Sequence, residues 1–146
     1  MGGSPELEPE WVQRITDFQY LLRRIEPADI PSIYAHAEML VYPSRYEGFG
    51  LPVLEGLTYG CPVVTCNNSS LYEVGGDACL YVSEDDPAQL ASTIERILDF
   101  YSDSRDRMIA TGKIQSEKFS WDRSGERLAA LLKEHVESIV KLRHSS

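Results

Sequence analysis

Apolar and polar positions along this chain fall into blocks that predict strands followed by helices. An apolar run at 18–22 has the length of a short strand. Ahead of it, Trp11, Val12 and Ile15 fall on one side of a short helix over 9–15. Pro27-Ala-Asp29 is a helix-start signal with Asp29 as N-cap, and Ile30, Ile33 and Tyr34 follow at helical spacing. Residues 39–42 are the next strand, stopped by Pro43 and Ser44. The helix over 52–59 ends at Gly60, its C-terminal cap. Residues 62–65 form a β-branched strand. Ser69 or Ser70 caps a short helix through Glu73, and 79–82 is the last strand. Glu84-Asp-Asp-Pro87 reads as a loop and N-cap rather than a metal site, because helix starts favour carboxylates. Leu90, Ile94, Ile97 and Leu98 make a helical apolar stripe, and a further helix covers 105–118. Ser120 caps a final amphipathic helix with Leu128, Leu131, Leu132, Val136 and Ile139 on its apolar face and a solvated charged face. Strands alternating with helices give an α/β class with a parallel, doubly wound sheet of about four strands.

The stretch from 41 to 55 carries the chemistry. It reads as strand, glycine loop, then helix start. Gly48 and Gly50 flank Phe49 and let the backbone approach a ligand. Pro52 sits in the first helical turn, where its missing N–H costs nothing. Free N–H groups at a helix start form an anion site suited to phosphate. Glu47 and Glu55 bracket this site, and carboxylates accept hydrogen bonds from hydroxyls such as those of a sugar or ribose. Phosphate donors between two hydroxyl acceptors describe a nucleotide-sugar site. The polar loop 67–70 is a further candidate wall, with Asn67 and Ser69 as candidate contacts. Glu73 is either a sugar contact or a capping-box acid. His36 is either a helix-end histidine facing solvent or a carbonyl, or a catalytic group, and the former is the simpler reading.

Glu47-Gly-Phe-Gly-Leu-Pro-Val-Leu-Glu55 resembles the E-x7-E motif of the group 1 family of retaining glycosyltransferases with the GT-B fold. Asp29-Ile-Pro-Ser-Ile-Tyr-Ala-His-Ala-Glu-Met-Leu-Val-Tyr-Pro-Ser44 resembles the helix and strand before that motif. Gly60-Cys-Pro-Val-Val-Thr65 and Ser69-Ser-Leu-Tyr-Glu-Val-Gly-Gly-Asp-Ala78 resemble the family's segments after the motif, and Phe119-Ser-Trp121 resembles the family's hinge. The likeness runs from about 18 to the C-terminal helix. Arg23 stands where the family has glycine, placing a positive charge near the C-terminal edge of the sheet, where α/β ligands bind.

The resemblance implies a Rossmann-like parallel sheet with flanking helices, a truncated C-terminal, nucleotide-sugar-binding domain. By that resemblance Glu47 is catalytic and contacts the transferred sugar near the reacting carbon. The main chain of Gly48, Phe49, Gly50 and Leu51 holds the sugar or diphosphate, and Glu55 takes the ribose hydroxyls. No metal or other cofactor is required, and the donor is a nucleotide-diphosphate sugar. The diphosphate leaving group needs cations. The family supplies them from an earlier part of the domain, whereas Arg45 is the only Lys or Arg between Ile25 and Glu95. Arg45 is either such a cation or a solvated loop arginine.

Composition narrows the class. At 146 residues one domain is expected. Met1-Gly-Gly-Ser4 reads as a cloning remnant or a loose start, so 1–17 is an N-terminal segment and 18–146 the partial domain. A 42% hydrophobic share is enough for a core. A net charge of −9 disfavours nucleic acid and anionic membranes. Cys61, Cys66 and Cys79 lie in apolar, strand-like settings, so reduced buried thiols in a cytoplasmic protein are expected. No apolar run approaches the ~20 residues of a membrane span, and no signal peptide is visible.

The family's first βαβ unit and its acceptor domain have no counterpart in this sequence. Transfer is therefore expected only when the missing half is supplied. The alternatives are a non-catalytic module that binds a nucleotide sugar or a partner chain, and an excised fragment with no activity alone. An uncovered strand edge is a template for pairing with another chain, so a homodimer is expected unless residues 5–15 cover that face.

Overall fold

The β-branched run at 63–65 builds the centre of the molecule. In the computed structural model, which describes residues 19, 23–99 and 102–144, strand β2 (Val63–Cys66) has all four residues buried. A parallel strand covered on both faces reads this way. β1 (Leu40–Tyr42) and β3 (Cys79–Val82) flank it, both parallel to it, in the order β1-β2-β3. The register sets Tyr42 opposite Thr65 and Thr65 opposite Tyr81, so the three strands end along one edge.

Helices connect and cover the strands. They are α1 (Ile30–His36), α2 (Leu51–Tyr59), α3 (Leu71–Gly75), α4 (Pro87–Leu98), α5 (Ser102–Ser116) and α6 (Trp121–His144), with one 3-10 turn at Gly76–Ala78. The core joins Val53 and Leu57 of α2, Val63, Val64 and Cys66 of β2, Leu71 and Val74 of α3, Val82 of β3 and Ile97 of α4. Burying each Val, Leu or Ile side chain contributes about 1.5–3 kcal/mol. From α5, Arg105 donates to the Glu38 carbonyl at 2.7 Å and the Ala37 carbonyl at 2.9 Å, tying that helix to the end of α1.

The fold is the expected α/β, Rossmann-like arrangement of a parallel sheet flanked by helices. Gly60 ends α2 at φ +77, a conformation that L side chains rarely adopt. Asp86 caps α4 by accepting from the Gln89 N–H at 2.9 Å, and Ser120 caps α6 by accepting from Arg123 N–H at 3.1 Å. His36 bonds the Ser32 carbonyl through Nδ1 at 2.7 Å, the simpler of its two readings. The three cysteines are free and buried, and burial pushes each thiol pKa up, Cys79 to about 12.

Several expectations need correction. Three of the four expected strands lie among the described residues, and all three are present. The strand at 18–22, apart from Gln19, and the helix at 9–15 lie outside them. Asp29 and Ser70 occupy N-cap positions, but neither side chain makes a capping bond. Without the Ser70 bond, Glu73 belongs to no reciprocal capping box; it is exposed in the first turn of α3. Leu98 closes the α4 stripe in sequence yet is 60% exposed, because Thr93 and Ile97 take the buried face. α5 starts at Ser102 rather than 105. On α6, Leu128, Leu131, Leu132 and Val136 are each more than half exposed, since no described residue covers that face.

Candidate functional site

The loops that leave the three strands at their C-terminal ends lie together. Asn68, after β2, donates through Nδ2 to the Ser44 carbonyl after β1 at 3.2 Å and to Glu84 Oε2 after β3 at 2.9 Å. One amide thus joins all three loops at the sheet edge where α/β proteins take ligands.

The loop between β1 and α2 carries Glu47. Two hydroxyls converge on one of its carboxylate oxygens. Tyr42, the last residue of β1, donates to Oε1, and Ser44 donates to the same atom at 2.8 Å. Its main chain is held from the next loop. The Glu47 N–H donates to Ser69 Oγ at 3.1 Å, and Ser70 Oγ donates to the Glu47 carbonyl at 2.9 Å. Ser69 sits at φ +43, in the left-handed region that a non-glycine residue seldom visits. The hydrogen bonds from Tyr42 and then Ser44 hold the Glu47 carboxyl below the usual carboxylate range, against a lesser opposing effect of burial. Such bonds stabilise the fold above the ordinary carboxylate pKa, and that stability is lost as pH falls through the lowered value. The same contact, followed by burial, raises the Tyr42 hydroxyl pKa.

α2 begins at the end of this loop. Gly50 is buried at φ +96, and its carbonyl accepts from Val53 and Leu54 at 3.0 and 3.2 Å. Those two amides are engaged within the helix. Among the described residues, the N–H groups of Gly48, Phe49, Gly50 and Leu51 have no main-chain partner. Glu55, one turn further on, accepts at Oε2 from Tyr34 of α1 at 3.2 Å. Burial, then the Glu55 charge, pushes the Tyr34 pKa up to about 12, so the phenol stays a donor.

The remaining candidates divide. Arg45 pairs with Asp85 at 2.7 Å, both side chains mostly exposed, so its guanidinium is directed at the loop after β3. Asn67 is exposed, and its neighbour Asn68 makes the inter-loop bonds. The Ser69 hydroxyl both accepts from Glu47 and donates to Asn68 Oδ1 at 3.3 Å. Arg23 is exposed and lies before α1. Among the described residues, no three His, Cys, Asp or Glu side chains cluster as a metal site needs. Also among them, no helix is long and apolar enough to cross a membrane.

Sequence reasoning missed Tyr34, Tyr42, Ser44 and Asn68 as site residues. The available signal was the spacing of Tyr42, Ser44 and Glu47 around Pro43, which folds them onto one another. It also missed a cavity of about 560 Å3 beside the glycine loop, walled by Phe49, Leu51 and Leu54 on one side and Phe119, Trp121 and Arg123 on the other. Phe49 and Phe119 meet edge to face with ring centroids 5.8 Å apart.

The family described as glycosyl transferases group 1 matches residues 1–99. O-antigen chain mannosyltransferase B of Escherichia coli is 47% identical over 96 residues, 64% of this chain and 24% of that protein. The MMP alpha-(1->4)-mannosyltransferase of Mycolicibacterium hassiacum is 27% identical over 86% of this chain and 31% of its own length. A D-inositol 3-phosphate glycosyltransferase of Corynebacterium kroppenstedtii is 30% identical over 75% of this chain and 25% of its own. The chain thus spans about a quarter to a third of the length of these curated relatives. With its Rossmann-like parallel sheet and a match over residues 1–99 of 146, the chain belongs to the group 1 family of glycosyltransferases.

Proposed function

We propose that this chain is the donor-binding domain of a retaining glycosyltransferase that moves a sugar from a nucleotide diphosphate to an acceptor. The observation that carries this reading is the placement of Glu47 and Glu55 around the start of α2 at the C-terminal edge of the sheet. Between them lie the amides of Gly48, Phe49, Gly50 and Leu51, suited to a sugar or diphosphate. Glu47 faces the transferred sugar. Glu55, with Oε2 on Tyr34, offers Oε1 to the ribose hydroxyls. Two of the relatives are named mannosyltransferases, so mannose is the first sugar to test. The acceptor and the groups that bind it belong to a complementary region. No residue of this chain is assigned to them.

The test is calorimetric titration of the 146-residue chain with GDP-mannose and with a panel of uridine diphosphate sugars. A buried hydrogen bond to a carboxylate is worth about 1.5–3 kcal/mol. Glu55→Ala is therefore expected to weaken donor binding about tenfold or more. Equal affinity in the two proteins removes Glu55 from the site.

For partners, the reading adds a second copy or an acceptor-binding region against the exposed apolar face of α6 and Trp121, which is 91% exposed. A two-fold dimer is the simplest expectation for the chain alone. Light scattering checks it, and a 16.5 kDa species at high concentration rejects the dimer.

A further inference from the structure

Glu47 is engaged at every polar group except one. Its N–H goes to Ser69, its carbonyl accepts from Ser70, and its Oε1 accepts from both Tyr42 and Ser44. Among the described residues no donor reaches Oε2. All four partners are hydroxyls, and they come from both sides of the residue, the end of β1 and the loop ahead of α3. Neutral hydroxyls can orient a carboxylate without adding a charge that competes for it.

We infer that Tyr42, Ser44, Ser69 and Ser70 form a positioning cage that fixes the Glu47 carboxylate and presents its Oε2 alone to the transferred sugar. The inference rests on the reading of Glu47 as the sugar-facing carboxylate. It places these four as positioning residues, with Tyr42 as the principal one on the side chain. Three features of the geometry support it. First, doubling the donors on Oε1 leaves the second oxygen as the acceptor for an incoming hydroxyl. Second, Ser69 holds a left-handed backbone at φ +43, and its side chain accepts the Glu47 N–H. Such conformations persist where surrounding structure over-determines them, and they concentrate at ligand sites. Third, Ser70 occupies the N-cap position of α3 yet makes no cap bond and turns to Glu47 instead. Serine at that position ordinarily caps its own helix, so its direction here serves the neighbouring loop. A site held within a fraction of an ångström depends on such supporting contacts.

The experiment compares three variants of the full chain, Tyr42→Phe, the double variant Tyr42→Phe with Ser44→Ala, and Glu47→Gln, in two readouts. The first is the titration of the Glu47 carboxyl, followed by carbon NMR on glutamate-labelled protein. It requires no ligand. Removing the Tyr42 hydroxyl is expected to raise the Glu47 pKa toward its ordinary value, and Tyr42→Phe with Ser44→Ala to raise it further. The second is the ratio of affinities for GDP-mannose and for GDP. The cage acts on the sugar and not on the nucleotide, so Tyr42→Phe is expected to lower this ratio about tenfold, with GDP affinity unchanged. A purely structural role for Tyr42 would lower both affinities together. An unchanged Glu47 titration in Tyr42→Phe overturns the cage. So does a Tyr42→Phe ratio equal to that of the unaltered chain when Glu47→Gln lowers it. If Glu47→Gln leaves the ratio unchanged, the sugar-facing reading of Glu47 fails instead.

Discussion

Leu71→Ala is expected to destabilise the chain by about 2–5 kcal/mol, the range for removing a leucine from a packed core. Leu71 opens α3, is 0% exposed, and belongs to the cluster with Val53, Val74 and the β2 residues. It also supports the glycine loop from below. A Cβ built on Gly50 would lie 2.8 Å from Leu71 Cδ2, so leucine and glycine are already in contact across the start of α2. Truncation leaves a cavity beneath the loop and adds that term to the lost transfer free energy. Urea denaturation measures the effect as a fall in midpoint at constant slope. A loss below about 1 kcal/mol would mean that the loop collapses onto the space, and donor binding should then weaken as the amides of Gly48–Leu51 move. Normal stability with normal binding rejects Leu71 as the floor of the site.

Gly50→Ala is expected to act through the same contact from the opposite side. Its φ of +96 is strained for any L side chain, about 1–2 kcal/mol for a left-handed residue. The new methyl also falls 2.8 Å from Leu71 Cδ2, and overpacking of this kind costs about 1–3 kcal/mol. Together these give a loss of about 2–5 kcal/mol. The two contributions are separable. In a Leu71→Ala background the clash disappears and only the backbone strain remains. The double mutant should therefore be less destabilised than the sum of the singles, by about 0.5–3 kcal/mol, as residues in contact show. Additivity of the two would place the whole effect in the backbone and remove the packing argument. Gly48→Ala is the control, because a Cβ there meets nothing within 4 Å.

Much of the fold was legible in the chain because its signals are local. Proline fixes φ, glycine permits positive φ, and β-branched residues favour strands, all within a few positions. Those rules give the three strands, α2 with its glycine end, and the caps at Asp86 and Ser120. They also give the glycine loop between Glu47 and Glu55 that runs into a helix start, since it is written in consecutive residues.

What the sequence by itself could not determine is which side chains meet across the fold, because those partners are distant in the chain. Ser69 and Ser70 meet Glu47 across 22 and 23 residues, Tyr34 meets Glu55 across 21, and Arg105 meets Glu38 across 67. Their meeting depends on the parallel register of β1 against β2 and on the docking of α1 and α5, which no local propensity encodes. Ser70 with Glu73 reads locally as a capping box, and the tertiary structure sends the hydroxyl to the Glu47 carbonyl instead. A short polar side chain takes whichever backbone group lies nearest, and here the neighbouring loop is nearest. The α6 stripe obeys the same logic. Periodicity made the helix amphipathic, but packing decides whether an apolar face is covered, and within the described residues it leaves Leu128, Leu131, Leu132 and Val136 exposed.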